Sequence, residues 1–299
     1  MNYLDLIAEK PDMVSPGIST CQGCAAELTL RRVLQLAGQD SIVCIPPGCL
    51  AGSGAVGWNF DTGLKVPVHI ALFDATSAFL SGVTTMYQRL GRQDVNIIAL
   101  VGDGGSSDCG FQALSGSAER GDKMLYVCYD NEGYMNTGFQ RSSTTSLGSH
   151  TSTTPAGSVI PGKTQNTKNL PLIMAMHNVE YVATLSPAYM PDFIEKIQKG
   201  LEAGKRGFAY LHVFAACPTG WGHPTDQGIA VSRKAVKSNF FPLYEVVQGQ
   251  WKQTVKNPSP ISVKEYIGDL KKFSHLGEEQ IQKLQDFVDQ RYQFLQKLF

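Results

Sequence analysis

The chain has 299 residues, of which 42% are hydrophobic and 17% are charged, and its formal net charge is zero. This composition is typical of a globular protein, and the charge balance gives no reason to expect binding to nucleic acid or to an anionic membrane. The sequence contains no apolar run long enough for a membrane-spanning helix, and residues 1–5 lack the basic and apolar segments of a signal peptide. The length fits one large α/β domain with an appendage, or two domains.

In chain order, residues 1–20 are expected to form an extended arm, because Pro11 and Pro16 interrupt any helix. Beyond the arm, segments with apolar residues at helical spacing alternate with short apolar runs typical of buried strands. The predicted helices cover residues 25–38, 75–90, 170–177 and 190–203, and the tail at 262–299 has two more helical patterns separated by Gly277. The predicted strands cover residues 42–45, 66–73, 95–101, 124–129, 181–185 and 208–214, the last of which is expected to end the sheet. This alternation is typical of an α/β fold with parallel strands.

Two polar segments interrupt the alternation. The first, at 51–61, is rich in glycine and contains Trp58 and Phe60. The second, at 142–169, is dominated by Ser, Thr, Gly and Pro, contains His150, and is too long for a simple connector. It is either an ordered binding loop or a mobile surface excursion, and its position directly after a polar turn favours the first.

Cysteine is the unusual residue type. There are seven, and an odd number without a secretion signal argues against a disulfide framework and for a reducing, cytoplasmic compartment. Three fall inside predicted elements and are expected to pack: Cys44, Cys109 and Cys128. The other four fall in loops: Cys21, Cys24, Cys49 and Cys217. The first two form a CxxC pair, and the last two each follow a predicted strand.

The central stretch from 95 to 143 contains a β-α-β pattern with polar turns after both strands. Gly102-Asp103-Gly104-Gly105 follows the first strand, and Asp130-Asn131 follows the second. Because parallel strands end at the same edge of a sheet, Asp103 and Asn131 should approach each other there. A carboxylate and an amide oxygen suit Mg²⁺, and the glycines let phosphate approach main-chain N–H groups at a helix start. The plainer alternative is a glycine turn in which Asp103 caps the helix.

This spacing resembles the thiamine-diphosphate motif, in which a GDG sequence is followed by a turn that contains Asn. The resemblance implies that Asp103, Asn131 and the main-chain carbonyl of Gly133 hold Mg²⁺.

The four loop thiols suit either a tetrahedral zinc site or a [4Fe–4S] cluster. Zinc sites usually use two close pairs, whereas this chain has one pair and two single cysteines. A structural zinc would also leave unexplained why Cys49 and Cys217 lie beside the expected phosphate site.

The chain is similar to the β subunit of 2-oxoacid:ferredoxin oxidoreductases, of the pyruvate synthase type. The similarity covers residues 21–245 and is carried by the CxxC pair, Gly48-Cys49, Cys217-Pro218-Thr219-Gly220-Trp221, and the turn at 129–138 with Gln140-Arg141-Ser142 after it. It implies a doubly wound, mostly parallel sheet of the thiamine-diphosphate-binding type at 21–250, after the arm at 1–20 and before a C-terminal helical extension at 251–299.

The resemblance also implies the ligands. The four loop cysteines would hold a [4Fe–4S] cluster. Thiamine diphosphate would contact Gly48, Cys49, Gly102, Asp103, Gly104, Gly105, Asn131, Tyr134, Met135, Asn136 and Thr137. Asn136 is the candidate catalytic residue, contacting the substrate carboxylate or a developing oxyanion, and its alternative role is that of a turn-stabilising amide.

Such enzymes decarboxylate a 2-oxoacid on thiamine diphosphate, pass electrons singly through clusters to soluble ferredoxin, and transfer the acyl group to coenzyme A. The glutamate that activates the cofactor lies in a pyrimidine-binding domain, for which this chain has no room. The resemblance therefore implies an α/γ-type partner that supplies it, a δ-type ferredoxin-like subunit with two clusters, and no activity for the chain alone.

Pyruvate is the first choice of substrate, but the sequence departs from the pyruvate type around the substrate, at Pro47, Gly133 and 145–148. Oxalate, which would give two CO₂ without coenzyme A, or a branched 2-oxoacid are alternatives. Two other classes stay open: a non-redox thiamine enzyme, which has no use for the four loop cysteines, and a non-enzymatic zinc-binding interaction protein.

Overall fold

The computed structural model describes residues 3–52, 63–157 and 161–299, so Trp58 and Phe60 of the glycine-rich segment lie outside the described residues. The strands are β1 (Ser41–Cys44), β2 (Val68–His69), β3 (Asn96–Gly102), β4 (Met124–Asp130), β5 (Tyr181–Leu185), β6 (Phe208–Phe214), β7 (Tyr244–Val247) and β8 (Gln250–Gln253). In the described part of the chain they form one eight-stranded sheet in the order β2-β1-β3-β4-β6-β5-β7-β8. The first six are parallel to one another, whereas β7 pairs antiparallel with β5 and β8 pairs antiparallel with β7.

The helices are α1 (Tyr3–Glu9), α2 (Ala25–Ala37), α3 (Thr76–Arg89), α4 (Phe111–Glu119), α5 (Leu170–Ala175), α6 (Met190–Arg206), α7 (Pro218–Trp221), α8 (Gly228–Lys237), α9 (Val263–Ile267) and α10 (Glu278–Gln296). A π-helical turn spans Gly105–Cys109, and a 3-10 turn spans Lys271–Phe273. No helix of the described residues has the length and apolar character needed to cross a membrane.

Helices cover both faces of the sheet. Apolar side chains of α2 and α6 pack on one face, and those of α3, α4 and α5 pack on the other. Every residue of β4 and β6 is buried, because strands between two helical layers meet no water on either face. This arrangement confirms the doubly wound, mostly parallel α/β fold.

A third apolar cluster joins the end of β6 to the C-terminal helices. Trp221 of α7 and Phe240 belong to it, together with Tyr266 of α9 and Leu284 of α10. The C-terminal segment is therefore packed against the edge at which β6 ends, and it can support side chains there.

Several expectations are confirmed closely. Helix α2 ends at Gly38, whose φ of 75° lies in the left-handed region that favours glycine. The predicted strands at 95–101, 124–129, 181–185 and 208–214 correspond to β3, β4, β5 and β6. Cys44 and Cys128 are buried, as expected of thiols within strands.

Other expectations are wrong. The arm at 1–20 is not wholly extended, since Tyr3–Glu9 is helical and buries Leu6. The strand expected at 66–73 has only two residues in the ladder, because β2 is an edge strand that pairs with β1 alone. Cys109 is exposed rather than packed.

The sheet also does not end at β6. The hairpin β7–β8 extends it beyond β5, and its antiparallel direction needs only a tight turn at Gln248 and Gly249, whose φ angles are 48° and 77°. Because β8 crosses the expected boundary at residue 250, the C-terminal helical extension begins after this hairpin.

Candidate active site

The site lies where the strand order changes direction, between β1 and β3. In open α/β sheets ligands bind beyond the carboxyl ends of the strands at such a point. Cys49 follows β1 there, and Asp103 follows β3. The neighbouring strand β4 is in register with β3, with Gly102 opposite Tyr129, so its end brings Asn131 to the same place.

Three polar groups converge at this edge. The main-chain N–H of Asn131 donates to Asp103 Oδ1 at 3.4 Å. One terminal atom of the Asn131 side-chain amide lies 2.9 Å from Asp103 Oδ1 and 2.9 Å from the carbonyl oxygen of Gly133. As a nitrogen, this atom donates to both oxygens; as an oxygen, it completes a group of three oxygens that a cation would stabilise.

The charge of Asp103 is the main electrostatic feature of this group. Asp103 is fully buried, and the hydroxyls of Ser142 and Thr144 donate to its Oδ2. Burial and the nearby carboxylate of Asp130 raise the pKa of Asp103 well above its usual value. A cation beside Oδ1 would therefore stabilise the ionised form of Asp103.

A cavity opens in front of these groups. Its lining includes the predicted residues Gly48, Cys49, Gly102, Gly104, Gly105, Asn131, Gly133, Tyr134, Met135, Asn136 and Thr137. Asp103 lies behind this surface. Gly104 cannot carry a side chain, because a Cβ there would come within 2.4 Å of the Tyr134 ring, whose hydroxyl donates to the Gly104 carbonyl at 3.1 Å.

The polar segment at 142–169 is ordered around the site over its described residues. Besides its bonds to Asp103, Thr144 donates to Asp130 Oδ1 at 2.9 Å, and Thr145 donates to the carbonyl of Glu132 at 2.7 Å. Lys163 is buried, and its Nζ donates to the carbonyls of Ser143 and Thr145 in the same segment. The segment thus packs against the turn that follows β4.

The four loop cysteines line a second cavity of about 480 Å³. Cys24 lies at the start of α2 and Cys217 at the start of α7, where the main-chain N–H of Gly220 donates to Cys217 Sγ at 3.3 Å. All four thiols are free. No three His, Cys, Asp or Glu side chains of the described residues are arranged to hold a metal ion as they stand, so the thiols surround the cavity rather than meet at one point.

The thiols influence one another's pKa values. Burial, with added repulsion from Cys217 and Cys21, raises the pKa of Cys24 to about 11. Burial and the other three sulfurs raise the pKa of Cys49 to about 12. Thiolates at these positions therefore require positive charge in the cavity, which metal ions would supply.

The two cavities share a wall. Cys49, Asn131, Met135 and Asn136 line both of them. Asn136 is exposed at this wall. Whatever occupies one cavity is therefore separated from the contents of the other by a single layer of side chains.

Sequence reasoning missed several supporting residues. Phe73 lines the first cavity, with its ring 6.2 Å from that of Tyr134, and its position at the end of a predicted strand was an available signal. The sequence marks Ser142 as part of the motif after the turn and Thr144 only as part of the polar segment, and it predicts neither as a partner of Asp103. Lys272, which contacts Glu132 and the Trp221 ring, had no signal in the sequence.

The contacts of His212 and His150 are ordinary structural ones. His212 is buried, with Nε2 2.9 Å from Asp130 Oδ2 and Nδ1 2.7 Å from the Tyr210 hydroxyl, so both ring nitrogens have partners in the core. His150 is exposed and packs edge-on against His275, with ring centres 6.3 Å apart.

Comparisons with known proteins bear on this geometry. Residues 71–213 match the family model of the thiamine pyrophosphate enzyme C-terminal TPP-binding domain. The chain is 46% identical over 298 residues to the β subunit of NADH-dependent phenylglyoxylate dehydrogenase from Aromatoleum evansii, covering 99% of this chain and 67% of that protein.

Two further relatives are matched over nearly their whole length. Pyruvate synthase subunit PorB from Methanothermobacter thermautotrophicus is 40% identical over 280 residues, which are 93% of this chain and 95% of that one. Ketoisovalerate oxidoreductase subunit VorB from Pyrococcus furiosus is 37% identical over 292 residues, which are 94% of this chain and 92% of that one.

Among solved structures, 2-oxoglutarate:ferredoxin oxidoreductase from Magnetococcus marinus shares the fold. It superposes with a TM-score of 0.58 at 24% identity, over 73% of this chain and 69% of that chain.

Proposed function

Because the chain belongs to the family of β subunits of 2-oxoacid:ferredoxin oxidoreductases, we propose that it binds two cofactors side by side and couples decarboxylation to one-electron transfer. The first cavity would take thiamine diphosphate with Mg²⁺, and the second a [4Fe–4S] cluster. The observation that carries the proposal is the shared wall of Cys49, Asn131, Met135 and Asn136.

The first cavity fits a magnesium diphosphate in its donor chemistry. Asp103, Asn131 and the carbonyl of Gly133 would hold the ion, because they offer three oxygens around one point at the edge of the cavity. Gly104 and Gly105 line this cavity at the start of the π-helical turn, and the main-chain N–H groups at a helix start suit phosphate oxygens.

The second cavity fits a cluster better than it fits a single ion. Iron and sulfide atoms stand between the cysteines of a cluster, so ligands that surround a cavity suit it. Cys21, Cys24, Cys49 and Cys217 would be its ligands, and the N–H of Gly220 already donates to Cys217 Sγ. Analysis that finds zinc without iron or magnesium would favour the alternative of a zinc-binding interaction protein.

Bound thiamine diphosphate supplies the electron sink for decarboxylation, and the chain's own residues bind and orient the reactants. The amide of Asn136, exposed at the shared wall, would donate to the carboxylate of the substrate or to a developing oxyanion. Met135 and Phe73 would keep water from the apolar side of the cavity. Cys49, with the other three cysteines, would hold the cluster beside this cavity, and the cluster would supply one-electron transfer to ferredoxin.

The substrate proposed first is pyruvate, which is named for the PorB relative, with coenzyme A as acyl acceptor. Branched 2-oxoacids are supported by the VorB relative, and phenylglyoxylate by the relative with 46% identity. Oxalate stays an alternative, and it would need no coenzyme A. The partners proposed are an α/γ-type subunit that supplies the activating glutamate and a δ-type subunit with two clusters.

The test is anaerobic purification of the complex, followed by measurement of its iron, sulfide, magnesium and thiamine content. Viologen reduction is then assayed with pyruvate, 2-oxoisovalerate, phenylglyoxylate, oxalate and 2-oxoglutarate, each with and without coenzyme A. We expect iron, magnesium and thiamine in the complex and turnover with one of the first three acids. A complex with thiamine but no iron would point instead to a non-redox thiamine enzyme.

A further inference from the structure

One buried cation lies behind both cavities. Lys272, in the 3-10 turn Lys271–Phe273, has 0% of its side chain exposed. Its Nζ forms an ion pair with Glu132 Oε2 and lies 3.7 Å from the centre of the Trp221 ring. Glu132 belongs to the turn that borders the first cavity, whereas Trp221 belongs to α7, which begins at Cys217.

The contacts of Lys272 extend to the shared wall. The indole N–H of Trp221 donates to the carbonyl of Asn131 at 2.8 Å, and its main-chain N–H donates to the carbonyl of Cys217 at 2.9 Å. Glu132 has a φ of 64°, a conformation that is uncommon outside glycine, and Ser146 and Lys272 both bind its carboxylate. Lys272 thus holds the Cys217 helix and the Asn131 turn together.

The charges that face Lys272 come from three elements. Asp130 ends β4, Glu132 lies in the turn after β4, and Cys217 directly precedes α7. Burial raises the pKa of Cys217, and the positive charge of Lys272 opposes that increase. Lys272 is therefore a buried cation connected through Trp221 to the helix that follows Cys217.

We propose that Lys272 is a positioning residue that raises the reduction potential of the cluster held by the four cysteines, an inference that rests on the proposed function. Reduction of a cluster adds one electron and hence one negative charge. A fixed cation in a site of low dielectric stabilises that added charge, and neither water nor salt screens it. Glu132 and the Trp221 ring keep the cation in place.

The test is a redox titration of the full chain, reconstituted anaerobically with iron and sulfide and followed by EPR of the reduced cluster. Lys272→Met keeps the length of the side chain and removes its charge. We expect at least a tenfold shift of the equilibrium towards the oxidised cluster, which for one electron is about 59 mV more negative. Lys271→Met is the matched control, because Lys271 is the exposed neighbour.

Loss of one partner of a buried ion pair can unfold a protein, so a second variant accompanies the first. Lys272→Met/Glu132→Gln removes both charges and leaves neither carboxylate nor ammonium unpaired. A negative shift smaller than that of Lys272→Met, with wild-type iron content, supports the inference, because loss of the Glu132 carboxylate acts in the opposite direction. An unchanged potential in Lys272→Met that holds all its iron would overturn the role of Lys272 and leave the proposed function intact. A wild-type chain that takes up no iron–sulfur cluster would overturn the proposed function and this inference with it.

Discussion

At the scale of single residues, the burial of Asp103 determines which ligands its carboxylate can bind. The side chain is buried beside a second carboxylate, Asp130, and is kept there by hydroxyls of Ser142 and Thr144. Burial of an ionised carboxylate without a partner costs several kcal/mol by order of magnitude. Asp103 is therefore poorly suited to a purely structural role and well suited to binding a cation.

Asp103→Asn tests this directly. The variant keeps the size of the side chain and removes its charge, so we expect affinity for Mg²⁺ with thiamine diphosphate to fall more than about 100-fold, beyond the range for outer-shell partners of metal ligands. The melting temperature of the cofactor-free chain should not decrease, because repulsion with Asp130 is relieved. Calorimetric titration and thermal unfolding measure the two effects, with the exposed Asp94→Asn as control. Unchanged cofactor affinity would contradict the assignment.

The cysteines allow an equally matched pair of variants. Cys217→Ala removes one proposed cluster ligand, and we expect the variant to lose the iron–sulfur absorption or to bleach rapidly. Cys109→Ala removes an exposed thiol that lies outside the second cavity, and it should keep its full iron content. Iron and sulfide analysis after reconstitution separates the two, and full iron in the Cys217 variant would show that this ligand is misassigned.

At the scale of elements, the segment at 142–169 is anchored by a lysine with an unusual pKa. Burial, with repulsion from Arg141, lowers the pKa of Lys163 from 10.5 to about 8. Two carbonyls, of Ser143 and Thr145, accept from its Nζ, and a neutral amine has enough hydrogens for both. The fold therefore binds the proton of Lys163 less tightly than the unfolded chain does.

This difference predicts a pH dependence. Between pH 8 and 10.5 the unfolded chain holds more protons on Lys163, so the unfolding free energy contributed by this group rises with pH across this window. The gain is lost as pH falls from 10.5 to 8, and below pH 8 the contribution no longer changes. Denaturant unfolding at pH 8 and pH 10 should show this rise in the wild-type chain and a flatter profile in Lys163→Met. Lys256→Met, at an exposed position, should behave like the wild type. Identical pH profiles of the unfolding free energy for Lys163→Met and the wild-type chain would contradict this predicted pH dependence.

Which elements the sequence predicts depends on how their residues are buried. Strands β3, β4 and β6 are covered on both faces, so they are mainly apolar along their length and are found from sequence. The hairpin β7–β8 lies at the edge of the sheet, is only partly covered, and alternates polar with apolar residues, so its pattern is weaker. Its turn residues, Gln248 and Gly249, were the remaining signal.

The residues of the site likewise differ in how well the sequence predicts them. Asp103, Asn131, Cys49 and Cys217 follow strands, and the sequence predicts them because parallel strands end at one edge. Cys21 and Cys24 are found instead by their CxxC spacing. Lys272 reaches the site from the C-terminal segment, 140 residues after Glu132 in the chain. Such a contact depends on how the tail packs over the end of β6, and no local pattern reports it.

At the scale of the whole molecule, the described residues supply one thiamine-diphosphate-binding domain, with the cavity lined by the four cysteines beside it. The proposed enzyme further needs a glutamate from a partner subunit. The purified chain alone is therefore expected to bind magnesium, thiamine diphosphate and a cluster, yet to reduce no viologen with any 2-oxoacid. Addition of the partner subunits should restore turnover, while a complex that carries Asp103→Asn should stay inactive. Turnover by the isolated chain would contradict this division of labour.

The partition formed by Cys49, Asn131, Met135 and Asn136 has a consequence for protein engineering. Under the proposed function, a replacement in this partition would alter the space for the acid and the path of the electrons together, so neither property could be changed there alone. Phe73 lines only the first cavity. Attempts to change which acid is accepted should therefore begin at Phe73.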